Sequence, residues 1–172
     1  MDSGRQLTPD AYLSLLRQRL SASYDIETQR TVGSILYPLY ARSQLRIGQY
    51  LFHRSVTYER MELNEHVLCH VQLDPVTPEQ VASFVEDLKR SVDELVTRSD
   101  EHMSSALTGV LIARAGFSPE AAHKVTKSGF TKHFRLGLQG WCFLRLLGVD
   151  LTTGHIWANR RGKEVMSAYS PG

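Results

Sequence analysis

Residues 77–96 read TPEQVASFVEDLKRSVDELV, and this stretch shows best which layers the fold contains. Thr77 is a favourable helix N-cap, Pro78 suits the first helical position, and Glu79 places a negative charge at the helix start. Apolar residues then recur at three- and four-residue spacing, at Val81, Phe84, Val85, Leu88, Val92, Leu95 and Val96. The opposite side carries charges of both signs. This pattern predicts a long amphipathic helix over 77–98 that packs one face against the rest of the domain.

The sequence before this helix indicates a second helix followed by strands. Thr8 and Pro9 resemble a helix start, and apolar residues continue at helical spacing to Leu20. From Ile35 to Leu73, tyrosines and β-branched residues alternate with polar residues, with turn candidates at 47–49 and 62–65. We therefore predict an antiparallel meander of three strands. In its first strand, Tyr37, Leu39, Ala41 and Leu45 are expected on one face and Tyr40, Arg42, Gln44 and Arg46 on the other. Pro38 predicts an edge position or a strand beginning.

The sequence after the long helix adds further strands. Ala106–Arg114 is a short apolar run typical of a buried strand, and a capped helical segment follows from Ser118 to about Gly129. Three more strands and a short closing helix are predicted at Phe130–Leu138, Trp141–Leu151, His155–Asn159 and Gly162–Tyr169. The predicted class is α+β: a mainly antiparallel sheet of about six to seven strands, with one long helix (77–98) and an N-terminal helix packed on it. The chain is predicted to form a single domain over 1–172.

Composition and charge favour a folded protein and name no partner. The chain is 42% hydrophobic and 22% charged, with a formal net charge of +2. Its start lacks the pattern of a signal peptide, and no apolar run approaches the roughly 20 residues that span a bilayer. Cys69 and Cys142 each lie in a strand-like apolar run and are predicted to be buried free thiols. We therefore expect a cytoplasmic protein that does not interact with membranes.

The sequence contains no complete catalytic motif. Its 12 glycines form neither a phosphate loop nor a dinucleotide fingerprint, and no nucleophile elbow is present. We predict no cofactor. Glu101 and His102 are the weak catalytic candidates, because an acid beside an imidazole can act in general acid/base chemistry. A hydrolase or nuclease would need a third group near them, and the strand acids Glu59, Asp74 and Asp150 form no recognisable metal-binding set.

His66, Cys69 and His70 lie close together in the sequence and are the candidate zinc ligands. Imidazole and thiolate are both good zinc ligands. If this stretch is a strand, however, His66 and His70 lie about 13 Å apart on one face, and Cys69 lies on the other. The sequence therefore predicts no metal site here.

Residues 127–161 mix cations with aromatic side chains, a combination that can bind anions or single-stranded nucleic acid. Lys132 and Arg145 align with apolar neighbours, so each must find a counterion, extend to solvent or line a pocket. Asp150 and Glu101 are the predicted counterions. Structural ion pairing and an anion-binding pocket both remain open. The candidate ligand-binding residues are Lys132, His133, Arg135, Trp141, Arg145 and Arg160.

Several short segments resemble a family of small uncharacterised prokaryotic proteins, a domain of unknown function, over most of the chain. They are Tyr12-Leu13 to Tyr24-Asp25-Ile26, Tyr40-Ala41-Arg42, Glu101-His102-Met103-Ser104, Thr108-Gly109-Val110, Gly140-Trp141-Cys142 with Arg145, and Gly162-Lys163. Pro38 departs from this pattern, where the family has a polar or acidic residue. The resemblance implies one intact domain and no particular activity, cofactor or substrate.

Three functional hypotheses follow from the sequence. The leading one is a non-enzymatic module that binds a protein partner or itself, by edge pairing or helix packing, which would give a homodimer. The alternative is an anion-binding or nucleic-acid-binding protein that uses the basic and aromatic segment. The third is a metal-dependent hydrolase or nuclease.

Overall fold

The computed structural model describes residues 7–45, 63–96, 104–134 and 140–172. The elements in chain order are α1 (Pro9–Leu20), β1 (Asp25–Val32), β2 (Ile35–Leu45), β3 (Leu63–Gln72), α2 (Pro78–Leu95), β4 (Ser104–Ala113), α3 (Pro119–Lys127), β5 (Thr131–His133), β6 (Trp141–Asp150) and β7 (Ile156–Ala158). Two short 3-10 turns, Gly162–Glu164 and Met166–Tyr169, replace the predicted closing helix. Within these ranges, no helix is both long and apolar enough to cross a membrane.

Seven strands form one sheet in the order β1-β2-β3-β4-β6-β5, and β7 also pairs with β6. Four of the pairings between these strands are antiparallel, which confirms the predicted α+β class. The centre differs in detail, because β3, β4 and β6 run parallel. Parallel neighbours need a crossover connection. The described helices α2 and α3 lie in the two connections that join these strands.

The sheet has a helix layer on each face. The face that packs against α2 and α3 is called the α2 face, and its core includes Phe84, Leu88 and Leu107. A Cβ at Gly109 would lie 2.2 Å from Leu88 Cδ1, so a larger residue there would force the buried Leu88 side chain to move. The opposite face, called the α1 face, packs against α1 and the C-terminal turns. The Tyr12 hydroxyl of α1 donates to the Tyr169 carbonyl at 2.6 Å, so the two ends of the chain cover this face together.

The long predicted helix is present with the predicted start. The Thr77 hydroxyl accepts from Gln80 N, and the Gln80 side chain accepts from Thr77 N, which forms a capping box. Phe84 and Leu88 lie on its buried side, as the spacing predicted. The helix ends at Leu95.

The N-terminal part of the sheet differs from the predicted meander. In the structure, the meander begins at Asp25, ten residues before the predicted start at Ile35. Its first strand, β1, is mostly exposed and shows little apolar periodicity. The three strands β1, β2 and β3 do form an antiparallel meander. The middle strand predicted between the turns at 47–49 and 62–65 lies outside the described residues.

Pro38 is the fourth residue of β2 and so does not begin the strand, and although β2 lies between β1 and β3, its side towards β3 is unpaired at Pro38. Pairing of β2 with β3 begins at Leu39, so Pro38 faces only β1, and the β1–β2 register skips Gln29 and Pro38. Gln29 has the left-handed φ of 55°. The side-chain alternation reverses at this break, because Tyr37 and Tyr40 both pack on the α2 face whereas Leu39 packs on the α1 face. The predicted face for Tyr37 was therefore wrong, since proline cannot donate to the ladder and regular pairing is interrupted.

Candidate functional site

The structure places Lys132 and Arg145 on opposite faces of the sheet. Lys132 pairs across β5–β6 with Cys142, whose side chain belongs to the α2 face. Its ammonium forms an ion pair with Asp93 of α2. Arg145 lies three residues after Cys142 on β6 and therefore projects from the α1 face. The two cations do not line a common pocket.

Arg145 is buried, with 8% of its surface exposed, and it is paired with a carboxylate of the sheet. Its Nη1 donates to Glu65 Oε1 at 2.5 Å, and the other oxygen of Glu65 accepts from the Tyr24 hydroxyl. Glu65 is itself buried on β3, two strands away from β6. Removing one partner of such a buried charge pair strongly destabilises the protein, because the other charge is left buried and unpaired.

The predicted counterions of Arg145 were wrong where the structure describes them. Asp150 lies at the other end of β6 and accepts from the backbone N and the hydroxyl of Thr152, at 2.8 and 2.6 Å. This carboxylate therefore closes a turn. Glu101 lies outside the described residues.

A second layer of side chains lies over the Arg145–Glu65 pair. Glu164, from the first 3-10 turn, is 3.7 Å from Arg145 and 3.6 Å from Arg161. The guanidinium carbons of both arginines lie over the Phe143 ring, at 5.4 and 4.9 Å from its centre. Burial raises the pKa of Tyr169 well above its usual value, and Glu65 raises it further while Arg145 lowers it. The Tyr169 hydroxyl therefore stays protonated near this cluster.

The other predicted ligand-binding residues are only partly brought together. His133 pairs across β5–β6 with Trp141, on the same face as Arg145; His133 is exposed and Trp141 is half-buried. Arg160 is exposed after β7. Arg135, Glu101 and His102 lie outside the described residues, so the hydrolase hypothesis stays a prediction.

The Arg145 cluster lies towards one particular end of the sheet. The end of β2 and the starts of β3, β4 and β6 meet there, because β2 is antiparallel to β3 whereas β3, β4 and β6 are parallel. The described strand ends that flank residues 46–62, 97–103 and 135–139 all belong to this end.

The histidines and cysteine considered for zinc do not converge. The side chains of His66 and His70 contact aromatic rings of the α2 face, and Cys69 packs on the α1 face. His66 Nδ1 is 2.8 Å from the Tyr40 hydroxyl. Burial of the His70 imidazole lowers its pKa. Across the described ranges, no group of three or more metal-ligating side chains occurs.

Both thiols are free and buried, as predicted. Burial raises the pKa of Cys142 to about 12 and that of Cys69 further. The two thiols lie on opposite faces of the sheet, so neither can reach the other. Neither has the thiolate character of a nucleophile.

Sequence reasoning did not identify Asn159, whose side chain joins β6 to the segments beside it. Its Oδ1 accepts from Leu146 N and from Gly162 N at 3.0 and 2.7 Å. Its Nδ2 donates to the carbonyls of Leu144 and Ser128, both at 3.0 Å. The one sequence signal was the spacing of three residues from Asn159 to Gly162, which suits an asparagine side chain that turns back to the main chain.

A family model described as "Domain of unknown function (DUF8052)" matches residues 8–171. The chain belongs to this family. The match spans α1 through both C-terminal turns and confirms the family resemblance seen in the sequence, and the family description assigns no activity. No curated protein and no solved structure matches the chain.

This member of the DUF8052 family also has an open sheet edge that the sequence did not reveal. Among the described residues, no strand pairs with the outer side of β1. β1 has eight residues, and most of them are exposed. Glu27 and Arg30 of β1 form an ion pair at 2.7 Å, and the Arg30 guanidinium lies 4.4 Å from the centre of the Tyr40 ring.

Proposed function

We propose that the chain is a non-enzymatic interaction module that pairs with a second copy of itself through β1. The observation that carries this proposal is the charge layout of the open β1 edge. An unpaired strand presents backbone donors and acceptors that another strand can use. Most homodimers meet through the same surface of both copies, and antiparallel pairing of two β1 strands is an interface of this isologous kind.

Two of the three charges of β1, those of Glu27 and Arg30, are arranged symmetrically about its midpoint, and the third, Asp25, has the uncharged Val32 at the matching position. The strand runs from Asp25 to Val32, so its midpoint lies between Thr28 and Gln29. Glu27 and Arg30 are equally distant from that point and carry opposite charges. Antiparallel pairing about this midpoint therefore sets Glu27 of each copy opposite Arg30 of the other. Opposite charges at directly facing positions favour a cross-strand pair.

The left-handed Gln29 makes this register consistent with the faces of the strand. In a regular strand, residues three apart lie on opposite faces. Here Ile26 packs on the α1 face and Val32 on the α2 face, so the alternation reverses between them. Glu27 and Arg30 consequently share the α2 face, as their ion pair shows. In this register, each residue of one copy therefore lies opposite a residue of the second copy whose side chain is on the same face of the sheet.

An exposed apolar side chain lies beside the proposed interface. Leu36 on β2 is 53% exposed and pairs with Thr31 of β1. In the proposed register, Thr31 lies opposite Ile26 of the second copy, which is half-buried on the same face. These side chains add apolar area on the α1 face, across the sheet from the charged pairs, which gives association a favourable term that added salt does not screen.

Charge exchange tests the proposal. Sedimentation velocity across a concentration series would compare the unaltered chain with Glu27→Arg, with Arg30→Glu and with the double variant. Each single variant sets like charges opposite each other twice, and we expect each to weaken dimerisation by at least about tenfold, or about 1.4 kcal/mol. The double variant restores two opposite-charge pairs and should recover most of the affinity.

The matched control is Arg90→Glu, which makes the same charge change as Arg30→Glu on the exposed side of α2. It should leave the dimer unchanged, and thermal unfolding of every variant at low concentration reports separately on the fold. A chain that stays monomeric at all concentrations would overturn the proposal and identify the charges and the Gln29 break as protection against edge pairing. Equal weakening by Arg90→Glu would also overturn it.

A further inference from the structure

Arg145 and Arg161 share one carboxylate and one aromatic ring. Arg145 Nη2 is 3.7 Å from Glu164 Oε2, and Arg161 Nη1 is 3.6 Å from Glu164 Oε1. Phe143 lies beneath both guanidinium groups. Glu164 therefore occupies a position between two cations above an aromatic floor.

Glu164 is held weakly in this position. Charge-assisted hydrogen bonds between guanidinium and carboxylate are typically about 2.7–2.9 Å long. Both Glu164 contacts are longer, and half of its side chain, 51%, is exposed. Glu65 contrasts with it, because that carboxylate is buried and contacts Arg145 Nη1 at 2.5 Å.

The side of Arg145 that faces away from Glu65 is not satisfied. Nε is buried and has no acceptor among the described residues. Nε and Nη2 form the side-on edge of a guanidinium, which binds two oxygens of one anion. On Arg145, this edge has one orphaned donor and one long contact. A buried donor without an acceptor is unfavourable, so a ligand that supplies oxygens to this edge is stabilised by it.

We propose that Arg145 and Arg161 form a binding site for a phosphate group, and that the Glu164 carboxylate is its exchangeable internal occupant. The tetrahedral phosphate has enough oxygens for the Nε/Nη2 edge of Arg145 and for Arg161 at once. Glu65 stays paired with Nη1 and holds the Arg145 guanidinium in place. Phe143 orients both guanidinium planes through cation–π contacts. The site uses none of the residues of the β1 edge, so it stands or falls independently of self-association.

Titration calorimetry with inorganic phosphate, at constant ionic strength in chloride, tests the site. Glu164→Gln removes the competing charge, and we expect it to bind phosphate about tenfold more tightly than the unaltered chain, or about 1.4 kcal/mol. Adding Arg161→Ala to Glu164→Gln should abolish that gain. Arg161 is exposed, so this change tests the site without altering the buried Arg145–Glu65 pair.

Asp93→Asn is the matched control, since it makes the same charge change on the α2 face. It should bind phosphate no more tightly than the unaltered chain. An equal gain in Asp93→Asn would overturn the proposal, because net charge alone would then explain the binding. So would an absence of tighter binding in a folded Glu164→Gln variant, or equally tight binding of acetate, which lacks the third acceptor oxygen. Thermal unfolding of each variant confirms that it is folded.

Discussion

The two edges of the sheet end in different ways. At the β6 edge, β5 pairs with residues 141–143 and β7 pairs with residues 147–149, so two strands of three residues cover most of one long strand. At the β1 edge, an eight-residue strand has no neighbour among the described residues. The comparison shows that the sheet finishes in two very short strands on one side, which leave little unpaired backbone, and in one longer strand on the other.

Between its pairings with β5 and β7, the β6 edge is also hydrogen-bonded, at residues 144–146. Leu144 N donates to the Phe130 carbonyl, and Asn159 N donates to the Leu146 carbonyl, both at 3.0 Å. The Asn159 side-chain amide supplies an acceptor for Leu146 N and a donor for Leu144 O. One amide side chain thus substitutes for a residue of a neighbouring strand.

Removing the Asn159 amide should cause the largest loss of stability among the changes at the two edges. Asn159→Ala removes the side-chain partner of four backbone groups, two of which, Leu146 N and Leu144 O, belong to β6. We expect the free energy of unfolding to fall by about 3 kcal/mol. Urea denaturation measures this change. Arg160→Ala, at the exposed position next to Asn159, serves as the control and should change stability by less than about 0.5 kcal/mol. Equal effects of the two changes would show that Asn159 does not close the edge.

Adding a methyl group at Gly162 should have a smaller effect on the same edge. A Cβ there would lie 2.7 Å from the Leu146 carbonyl and 3.0 Å from Asn159 Oδ1. Gly162→Ala must displace the turn that Asn159 anchors, and we expect a loss of about 2 kcal/mol in urea denaturation. The neighbouring exposed Lys163→Ala should be nearly neutral. If Gly162→Ala were equally neutral, the contact between this turn and β6 would not limit stability.

The smallest effect is expected at the open edge. Gln29 adopts the left-handed φ of 55°, which costs a non-glycine residue about 1–2 kcal/mol, whereas glycine adopts it without steric cost but loses more backbone entropy on folding. Gln29→Gly should therefore raise the free energy of unfolding by about 0.5 kcal/mol, and Gln29→Ala should not. Thermal unfolding of the two variants side by side measures the difference. A loss of stability in Gln29→Gly would mean that the side chain of Gln29 itself holds the break.

Predictability from sequence followed the strength of local patterns. The helix α2 was predictable because its cap and its apolar stripe are both encoded within residues 77–96. Arg145 was recognised as a charge that needed a counterion, but Glu65 was not recognised as its partner. Their contact depends on β3 and β6 both lying next to β4, and strand order is not encoded in local spacing. β1 was missed because an exposed edge strand needs no apolar face.

The two cysteines give the sheet a chemical reporter on each face. Cys69 lies beneath α1 and the C-terminal turns, and Cys142 lies on the side covered by α2 and α3. Burial suppresses the reactivity of both thiols, so alkylation of each one requires its own face to open. The alkylation rates of Cys69→Ser and Cys142→Ser variants therefore report separately on the two helix layers. Equal rates would indicate that both layers detach in one cooperative step, and unequal rates would identify the layer that leaves first.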